Sequence, residues 1–236
     1  TDDVVGQIIN AIDTNNLAEE TIVIFTSDNG CSKAADIDEL EKKGHRVSGP
    51  YRGSKADLWE GGHRVPFFAR WPGEIPPRSH TSQTICITDF FATLADLLID
   101  DIPEKAAEDS VSFLSAFYGQ PIVSDRRGLI HSSISGHFGY RMNHWKLLLA
   151  RGSGGWTAPK ESAAKQLELP AYQLYNMATD PTESQNLGSE QRDIAHKMYA
   201  LLRTDIEHGR STTGPESKND VEPIKLWKSG SPTPDL

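Results

Sequence analysis

The chain has 236 residues, of which 24 are Lys or Arg and 33 are Asp or Glu, so its formal net charge is −9. Hydrophobic residues at 37% and charged residues at 24% describe a globular protein of one large or two small domains, and exclude a disordered or fibrous chain. An acidic chain without a basic stripe is not expected to bind nucleic acid, and its apolar stretches are too short to span a membrane.

Residues 1–124 combine helical and strand patterns, as an α/β layer requires. Apolar side chains at three-to-four spacing within residues 4–12 predict an amphipathic helix. The run 21–26 is β-branched and apolar on both faces, which favours a buried strand of a parallel sheet. A second strand is predicted over 65–70, and the apolar spacing of 89–99 predicts another helix.

From residue 125 the pattern changes to that of a small antiparallel sheet followed by a helix. The predicted strands are 129–131, 138–141, 145–149 and 172–175. Apolar residues in 190–208 align on one helical face, and Gly209 is a natural stop for that helix. We therefore expect an α/β protein with three parts, residues 1–124, residues 125–209 and a tail over 210–236.

The run Ser27-Asp28-Asn29-Gly30 comes directly after the first predicted strand. Ligands of open α/β sheets bind beyond the carboxyl ends of the strands, where this run falls. Asp28 and Asn29 both offer hard oxygen donors of the kind that Ca²⁺ and Mg²⁺ prefer, and Gly30 allows a sharp turn behind them. An ordinary Asx turn that ends a strand is the alternative interpretation.

The second notable run is Gly49-Pro50-Tyr51-Arg52-Gly53-Ser54-Lys55, in which glycines precede a lysine. Such a loop lets the backbone approach a ligand while the ammonium group of Lys55 reaches an anion. A solvated loop lysine is the alternative, and the spacing is not that of a Walker A motif. His45 and His63 lie in the same region and are candidates for lining a substrate pocket, although surface histidines without a role fit equally well.

Taken together, these runs resemble the carboxyl-terminal half of the type I sulfatases, the arylsulfatase family of the alkaline-phosphatase-like superfamily. Further matching runs are Glu60-Gly61-Gly62-His63-Arg64-Val65-Pro66, Arg70-Trp71-Pro72-Gly73, residues 88–94, residues 109–114, Trp145-Lys146-Leu147 and residues 174–187. The similarity extends from the first residue to about Asn186. It implies an α/β alkaline-phosphatase-like fold, in which this chain supplies the carboxyl-terminal part of the parallel or mixed sheet and the small antiparallel sheet with its packed helix.

The resemblance also implies roles for site residues. Asp28 and Asn29 correspond to two ligands of a divalent cation, usually Ca²⁺, and Lys55 to the lysine that reaches a sulfate oxygen or the ester oxygen of the leaving group. These roles agree with the chemistry, because hydrolysis of a sulfate ester needs positively charged groups next to the non-bridging oxygens and stabilisation of the leaving oxygen. The expected substrate is a sulfated small molecule or a sulfated glycan, and the expected compartment is exported, periplasmic or lysosomal.

The family's nucleophile is a formylglycine made from the cysteine of a Cys-x-Pro-Ser-Arg motif or a similar one. Cys31 is followed by Ser-Lys-Ala and Cys86 by Ile-Thr-Asp, so neither cysteine matches, and their spacing fits no zinc site or disulfide scaffold. The nucleophile and the remaining cation ligands are therefore expected in an amino-terminal half that is missing here. We expect this chain alone to be inactive and to bind metal poorly.

Two other functions remain open at this point. A phosphate or phosphonate ester hydrolase of the same superfamily would share these runs, and a non-catalytic binding module would keep a degenerate cation site. We also expect the chain to self-associate through the strand edge at 22–25, because an uncovered edge pairs readily with another strand.

Overall fold

The computed structural model describes residues 1–98 and 101–228. Its helices are α1 (Asp2–Thr14), α2 (Ile37–Lys42), α3 (Asp89–Leu98), α4 (Leu114–Phe117), α5 (Glu161–Gln166) and α6 (Arg192–Glu207). Its strands are β1 (Val23–Thr26), β2 (Phe67–Arg70), β3 (Leu129–Ser132), β4 (Phe138–Met142), β5 (Trp145–Leu148) and β6 (Gln173–Asn176). Two short 3₁₀ turns cover Lys33–Ala35 and Glu60–Gly62.

The chain forms two compact units. The first contains Thr1–Ser27 and Pro66–Asp125, and the second contains Asp28–Val65 together with the chain that begins at Arg126. Residues 28–65, which the sequence grouped with 1–124, thus make their contacts in the second unit. The boundaries of the three predicted parts stay a prediction for the whole protein.

The first unit contains α1 as predicted, paired strands and a cluster of aromatic rings. Strands β1 and β2 are antiparallel, with Val23 opposite Arg70. The rings of Phe67, Phe90 and Phe113 pack with centroids 5.4–5.8 Å apart. The buried carboxylate of Asp89 joins α3 to the segment after it by accepting a 3.0 Å hydrogen bond from the N–H of Val111.

One prediction for the first unit is wrong. The run 21–26 forms β1, but β1 is half-exposed and pairs antiparallel with β2, not as a buried strand of a parallel sheet. An apolar run on both faces specifies a strand without specifying its neighbours, and among the described residues β2 alone pairs with it. Helix α3 follows the prediction up to Leu98, and residue 99 lies outside the described residues. Self-association through this edge stays a prediction.

The second unit has the predicted antiparallel sheet with a packed helix. Strands β3, β4, β5 and β6 are neighbours in chain order, and every pair is antiparallel. Tyr140, Leu147 and Leu174 lie side by side across the sheet, and all three are fully buried. Met198 and Leu202 of α6 complete this core, which confirms both the sheet and its helix.

The predicted tail is partly attached to this unit. Arg210 and Ser211 are buried, and the indole N–H of Trp227 donates a 3.3 Å hydrogen bond to the hydroxyl of Tyr199 on α6. Residues 229–236 lie outside the described part of the chain. In the parts that are described, no helix combines the length and the apolar character needed to cross a membrane.

Candidate functional site

Three segments of the second unit meet through their backbones. The N–H of Gly30 donates to the carbonyl of Gly62 at 2.9 Å, and the N–H of Gly61 donates to the carbonyl of Arg52 at 2.7 Å. A third bond, of 2.9 Å, runs from the N–H of Lys55 to the carbonyl of Cys31. The run with Asp28 and Asn29, the lysine loop and the Glu60–Gly62 turn therefore form one assembly, which we call the glycine junction.

Glycine is required where these backbones meet. A Cβ atom on Gly30 would lie 1.8 Å from the carbonyl oxygen of Gly61, and one on Gly61 would lie 2.2 Å from that of Gly53. Gly53 itself has φ +82°, a conformation that favours glycine. The sequence predicted a sharp turn at Gly30 and an approach of the loop backbone to a ligand, whereas in the structure these glycines let backbone segments of the chain itself approach closely.

The candidate cation ligands lie at one side of the glycine junction. Asp28 is exposed, Asn29 is half-buried, and the Asp28 carboxylate makes no hydrogen bond or ion pair with residues 1–98 or 101–228. In the same part of the chain, no three His, Cys, Asp or Glu side chains are grouped to hold a metal ion. Ca²⁺ takes about six to eight oxygen ligands, so Asp28 and Asn29 fit such a cation in chemistry but do not fill its shell.

The Lys55 side chain is half-buried and unpaired with any described residue, whereas the loop around it is fixed. The next residue, Ala56, has φ +84°, a strained backbone conformation for alanine. The buried carboxylate of Asp57 then accepts hydrogen bonds from the N–H groups of Ser54 at 2.8 Å, Trp156 at 2.8 Å and Thr157 at 3.0 Å. A free ammonium on a rigid loop is the arrangement that binding an external anion requires.

A cleft of about 970 Å³ opens beside this loop. It lies among the Lys33–Ala35 turn, α2 and residues 44–54, and Ser54 and Thr157 contribute to its lining. Its charged lining includes Arg46 as well as Asp36 and Glu41, so the cleft is polar without a single sign of charge. This volume is large enough for a small organic ligand such as a sugar.

Behind the lysine loop lies a buried ionic cluster. The Nζ of Lys146 on β5 lies 2.8 Å from an oxygen of Glu60 and 2.8 Å from an oxygen of Glu183, and Lys146 and Glu183 are fully buried. Burial raises the pKa of Glu60, but the hydrogen bond with His63 and the Lys146 charge outweigh it and leave that pKa far below its ordinary value. Burial dominates at Glu183 and raises its pKa despite the Lys146 charge.

Two histidines adjoin this cluster. The His63 ring packs on that of His131 with centroids 4.1 Å apart, and its Nε2 lies 3.2 Å from the Nζ of Lys146. Burial lowers the pKa of both histidines, and the Lys146 charge lowers them further, so both rings stay neutral near pH 7.

Comparison with known proteins shows what this arrangement belongs to. The family model described as Sulfatase matches residues 1–100. N-acetylgalactosamine-6-O-sulfatase of Bacteroides thetaiotaomicron is 31% identical over 206 residues, which are 85% of this chain and 39% of that relative. Human arylsulfatase G is 29% identical over 225 residues, 85% of this chain and 40% of its own. The chain is similar to sulfatases over most of its length.

The fold of this chain agrees with solved sulfatase structures. One structure, from work on glycosaminoglycan metabolism by Bacteroides thetaiotaomicron, superposes with a TM-score of 0.70 at 29% identity. The match covers 85% of this chain and 42% of the solved one. The chain corresponds to the carboxyl-terminal part of its relatives and spans about 40% of the length of the curated ones. The alkaline-phosphatase-like fold is thereby confirmed.

The structure brings some of the predicted site residues together and separates others. Asp28, Asn29 and Lys55 all belong to the segments of the glycine junction. His63 instead points its ring at Lys146, and His45 is exposed in the loop after α2. The roles of these five residues stay predictions.

Sequence reasoning missed three buried residues around the lysine loop, Asp57, Lys146 and Glu183. Lys146 carried a usable signal, because a lysine at an inward-facing position among the apolar residues of β5 needs a buried partner. The local sequence pattern indicated neither the buried position of Asp57 nor the ion pair between Lys146 and Glu183, whose charged atoms lie 2.8 Å apart.

Proposed function

We propose that this chain is the carboxyl-terminal part of a sulfatase that hydrolyses sulfate esters, with Lys55 at the leaving group and Asp28 and Asn29 at a divalent cation. The supporting observation is the hydrogen bond from the N–H of Lys55 to the carbonyl of Cys31, two residues beyond Asn29. It joins the segment that carries the oxygen donors to the loop that carries the unpaired ammonium. Similarity to sulfatases along most of the chain supports the reaction class.

The proposed chemistry of this chain's residues follows from charge. Hydrolysis of a sulfate ester breaks the bond between sulfur and the ester oxygen, and the alcohol leaves as negative charge develops on that oxygen. The ammonium of Lys55 stabilises this charge and supplies a proton to the departing oxygen. Asp28 and Asn29 would help to hold a divalent cation, which would supply positive charge to the sulfate oxygens.

The cleft beside Ser54 is the proposed place for the alcohol part of the substrate. It begins next to the lysine loop, and its polar lining suits the hydroxyl groups of a sugar. The name N-acetylgalactosamine-6-O-sulfatase shows that one relative acts on a sulfated sugar. We therefore propose a sulfated saccharide as the substrate class.

The proposal assigns no nucleophile to these 236 residues. Neither Cys31 nor Cys86 lies in a sequence that matches the formylglycine motif, so we propose that the chain alone gives no turnover. Its two oxygen donors lead us to expect weak Ca²⁺ binding as well, and calorimetric titration of the chain tests this.

The test uses the full-length product of the gene that encodes this chain. Sulfate release is measured from a sulfated N-acetylgalactosamine and from a nitrophenyl sulfate, whose phenoxide leaves without help. We expect Lys55→Ala to lower kcat about 10²–10³-fold for the sugar ester and much less for the aryl ester. Lys197→Ala, at an exposed position of α6, is the matched control.

Each outcome of this test has a clear meaning. An equal loss of kcat for both esters would show that Lys55 does not act on the leaving group. Release of phosphate from a phosphonate or phosphate ester, without sulfate release, would assign the protein to the other branch of the superfamily. Absence of all turnover in the full-length product, with Ca²⁺ present, would favour the non-catalytic binding module.

A further inference from the structure

We propose that Glu183, held in place by Lys146, is a positioning residue that clamps the Lys55 loop at both of its ends. The loop runs from Arg52 to Glu60, and Glu183 contacts both of these residues. The importance of this clamp for catalysis rests on the proposed function of Lys55. The clamp itself is a property of the second unit and is tested separately.

The contacts of Glu183 bracket the lysine. Its backbone carbonyl accepts a 3.0 Å hydrogen bond from a guanidinium N–H of Arg52, three residues before Lys55. Its carboxylate accepts a 2.6 Å hydrogen bond from the N–H of Glu60, five residues after Lys55. One residue therefore sets the distance between the two ends of the loop.

Two features of Glu183 indicate that specific contacts determine its conformation and that its side chain does more than fill space. Its side chain is fully buried, and its backbone has φ +55°, the left-handed region that glutamate adopts only when its surroundings impose it. Such strain persists only where other contacts determine the conformation. The ion pair with Lys146 and the bonds to Arg52 and Glu60 are those contacts.

Lys146 connects this clamp to the sheet. Its Nζ lies between the carboxylates of Glu60 and Glu183, 2.8 Å from an oxygen of each. The positive charge of Lys146 therefore offsets the repulsion between these two carboxylates. Because Lys146 is on β5, in the middle of the four-stranded sheet, the clamp has a rigid base. A buried ion network of this kind often adds little net stability over apolar residues, and specifying one geometry is its better-attested use.

The geometry is transmitted to the candidate site through the glycine junction. The turn that begins at Glu60 continues into Gly61, which bonds to Arg52, and into Gly62, which bonds to Gly30. Movement of Glu60 therefore displaces both the segment with Asp28 and the lysine loop. A positioning role for Glu183 and Lys146 follows, with no contact to substrate.

Amide hydrogen exchange in the 236-residue chain tests the clamp without any need for activity. In Glu183→Gln we expect the amides of Gly30 and Lys55 to exchange about tenfold faster or more, because local opening of the loop becomes easier. The amide of Leu149, which bonds to Phe138 within the sheet at 2.8 Å, is expected to keep its rate. Equal acceleration at all three amides, or no acceleration at Gly30 and Lys55, would overturn the proposal.

Two further variants keep the test decisive. Lys146→Met leaves two buried carboxylates facing each other, and adding Glu183→Gln removes one of them, so we expect the double variant to exchange more slowly than Lys146→Met at Lys55. Arg127→Met is the matched control, because Arg127 pairs with buried Asp205 in the same unit at 2.8 Å, away from the loop. If Arg127→Met accelerates the Lys55 amide as much as Glu183→Gln does, the clamp is not specific.

The full-length product supplies the catalytic readout. Glu183→Gln is expected to lower kcat for the sugar ester about tenfold and for the aryl ester by a smaller factor, because displacement of the Asp28 segment affects both esters while displacement of Lys55 affects mainly the sugar ester. Loss of folded protein would instead lower both rates equally, and that result would refute a positioning role. If the wild-type product releases no sulfate, the proposed function fails, while the exchange data still decide whether Glu183 holds the loop.

Discussion

The N–H of Gly30 lies 2.9 Å from the carbonyl oxygen of Gly62, a hydrogen bond between residues 32 positions apart in the chain. This bond joins the segment that carries Asp28 and Asn29 to the turn that ends the lysine loop. The close approach explains the three glycines at positions 30, 61 and 62, since side chains there would meet backbone atoms.

Gly30→Ala is expected to destabilise the second unit by about 3 kcal/mol or more. The added Cβ would lie 1.8 Å from the carbonyl oxygen of Gly61, and a backbone atom cannot move aside as a flexible side chain does. The free energy of unfolding in urea, followed by tryptophan fluorescence, measures the change.

Gly6→Ala provides a control of opposite sign. Gly6 lies within α1 with nothing within 4 Å of an added Cβ, so alanine is expected to stabilise the helix by about 0.5–1 kcal/mol. A Gly30→Ala protein that is as stable as wild type would show that the glycine junction is looser than the structure indicates.

The sheet of the second unit was predictable because its information is local. Each of β3 to β6 carries its own apolar pattern and pairs with its neighbour in the chain, and short connections join β3 to β4 and β4 to β5. Helix α6 was predictable for a similar reason, since Met198 and Leu202 recur on one face. Strand β1 had no such local information about its partner, and its predicted pairing was wrong.

The sequence predicted which residues form the candidate site, but it did not predict which residues hold them in place. The runs around Asp28 and Lys55 stood out by composition and by family resemblance. Asp57, Lys146 and Glu183 act through contacts between residues that are distant in sequence, such as the ion pair of Lys146 with Glu60 across 86 positions. A single sequence does not show which distant charges will be buried together.

The contact between the His63 and His131 rings predicts how stability depends on pH. His131 faces His63, Lys146 and Glu60, and burial, followed by the neighbouring His63 ring and the Lys146 charge, holds its pKa well below the ordinary value of about 6.5. The unfolded chain binds a proton near that pH while the folded chain does not. Stability contributed by His131 is therefore present above about pH 6.5 and is lost on acidification, by about 1 kcal/mol between about pH 7.5 and about pH 5.5.

His131→Gln is expected to remove this contribution and flatten the dependence. Glu183 acts with the opposite sign because burial raises its pKa, so the difference between variant and wild type is the quantity to measure. Urea unfolding at several pH values gives that difference. His196→Gln, on the exposed side of α6, is expected to keep the wild-type slope, and an unchanged slope in His131→Gln would contradict the assignment.

Tyr140→Phe tests how α6 is attached to the sheet. The buried hydroxyl of Tyr140 donates a 2.8 Å hydrogen bond to Asp205 on α6, and burial together with this bond raises its pKa, so the hydroxyl stays protonated. Removing it is expected to cost about 1–2 kcal/mol in the free energy of unfolding, since buried Asp205 loses one donor. Tyr118→Phe, at an exposed position, should change stability by less than about 0.5 kcal/mol. Equal values for the two variants would mean that the Tyr140 bond adds nothing.

Asp57→Asn is expected to destabilise the second unit by about 2–4 kcal/mol and to loosen the lysine loop. The Asp57 carboxylate accepts from the N–H groups of Ser54, Trp156 and Thr157, and also from the Thr157 hydroxyl. Asparagine offers one oxygen to these donors and turns an NH₂ group toward the rest, so buried donors lose their acceptor.

The comparison variant for this charge removal is Asp38→Asn, because Asp38 is exposed and makes no hydrogen bond with residues 1–98 or 101–228. It is expected to change the free energy of unfolding by less than about 0.5 kcal/mol. Asp57 connects Ser54 to the segment 156–157 by hydrogen bonds, so its loss should also speed exchange at the Lys55 amide. A destabilised Asp57→Asn protein with an unchanged Lys55 amide would show that Glu183, rather than Asp57, determines the position of the loop.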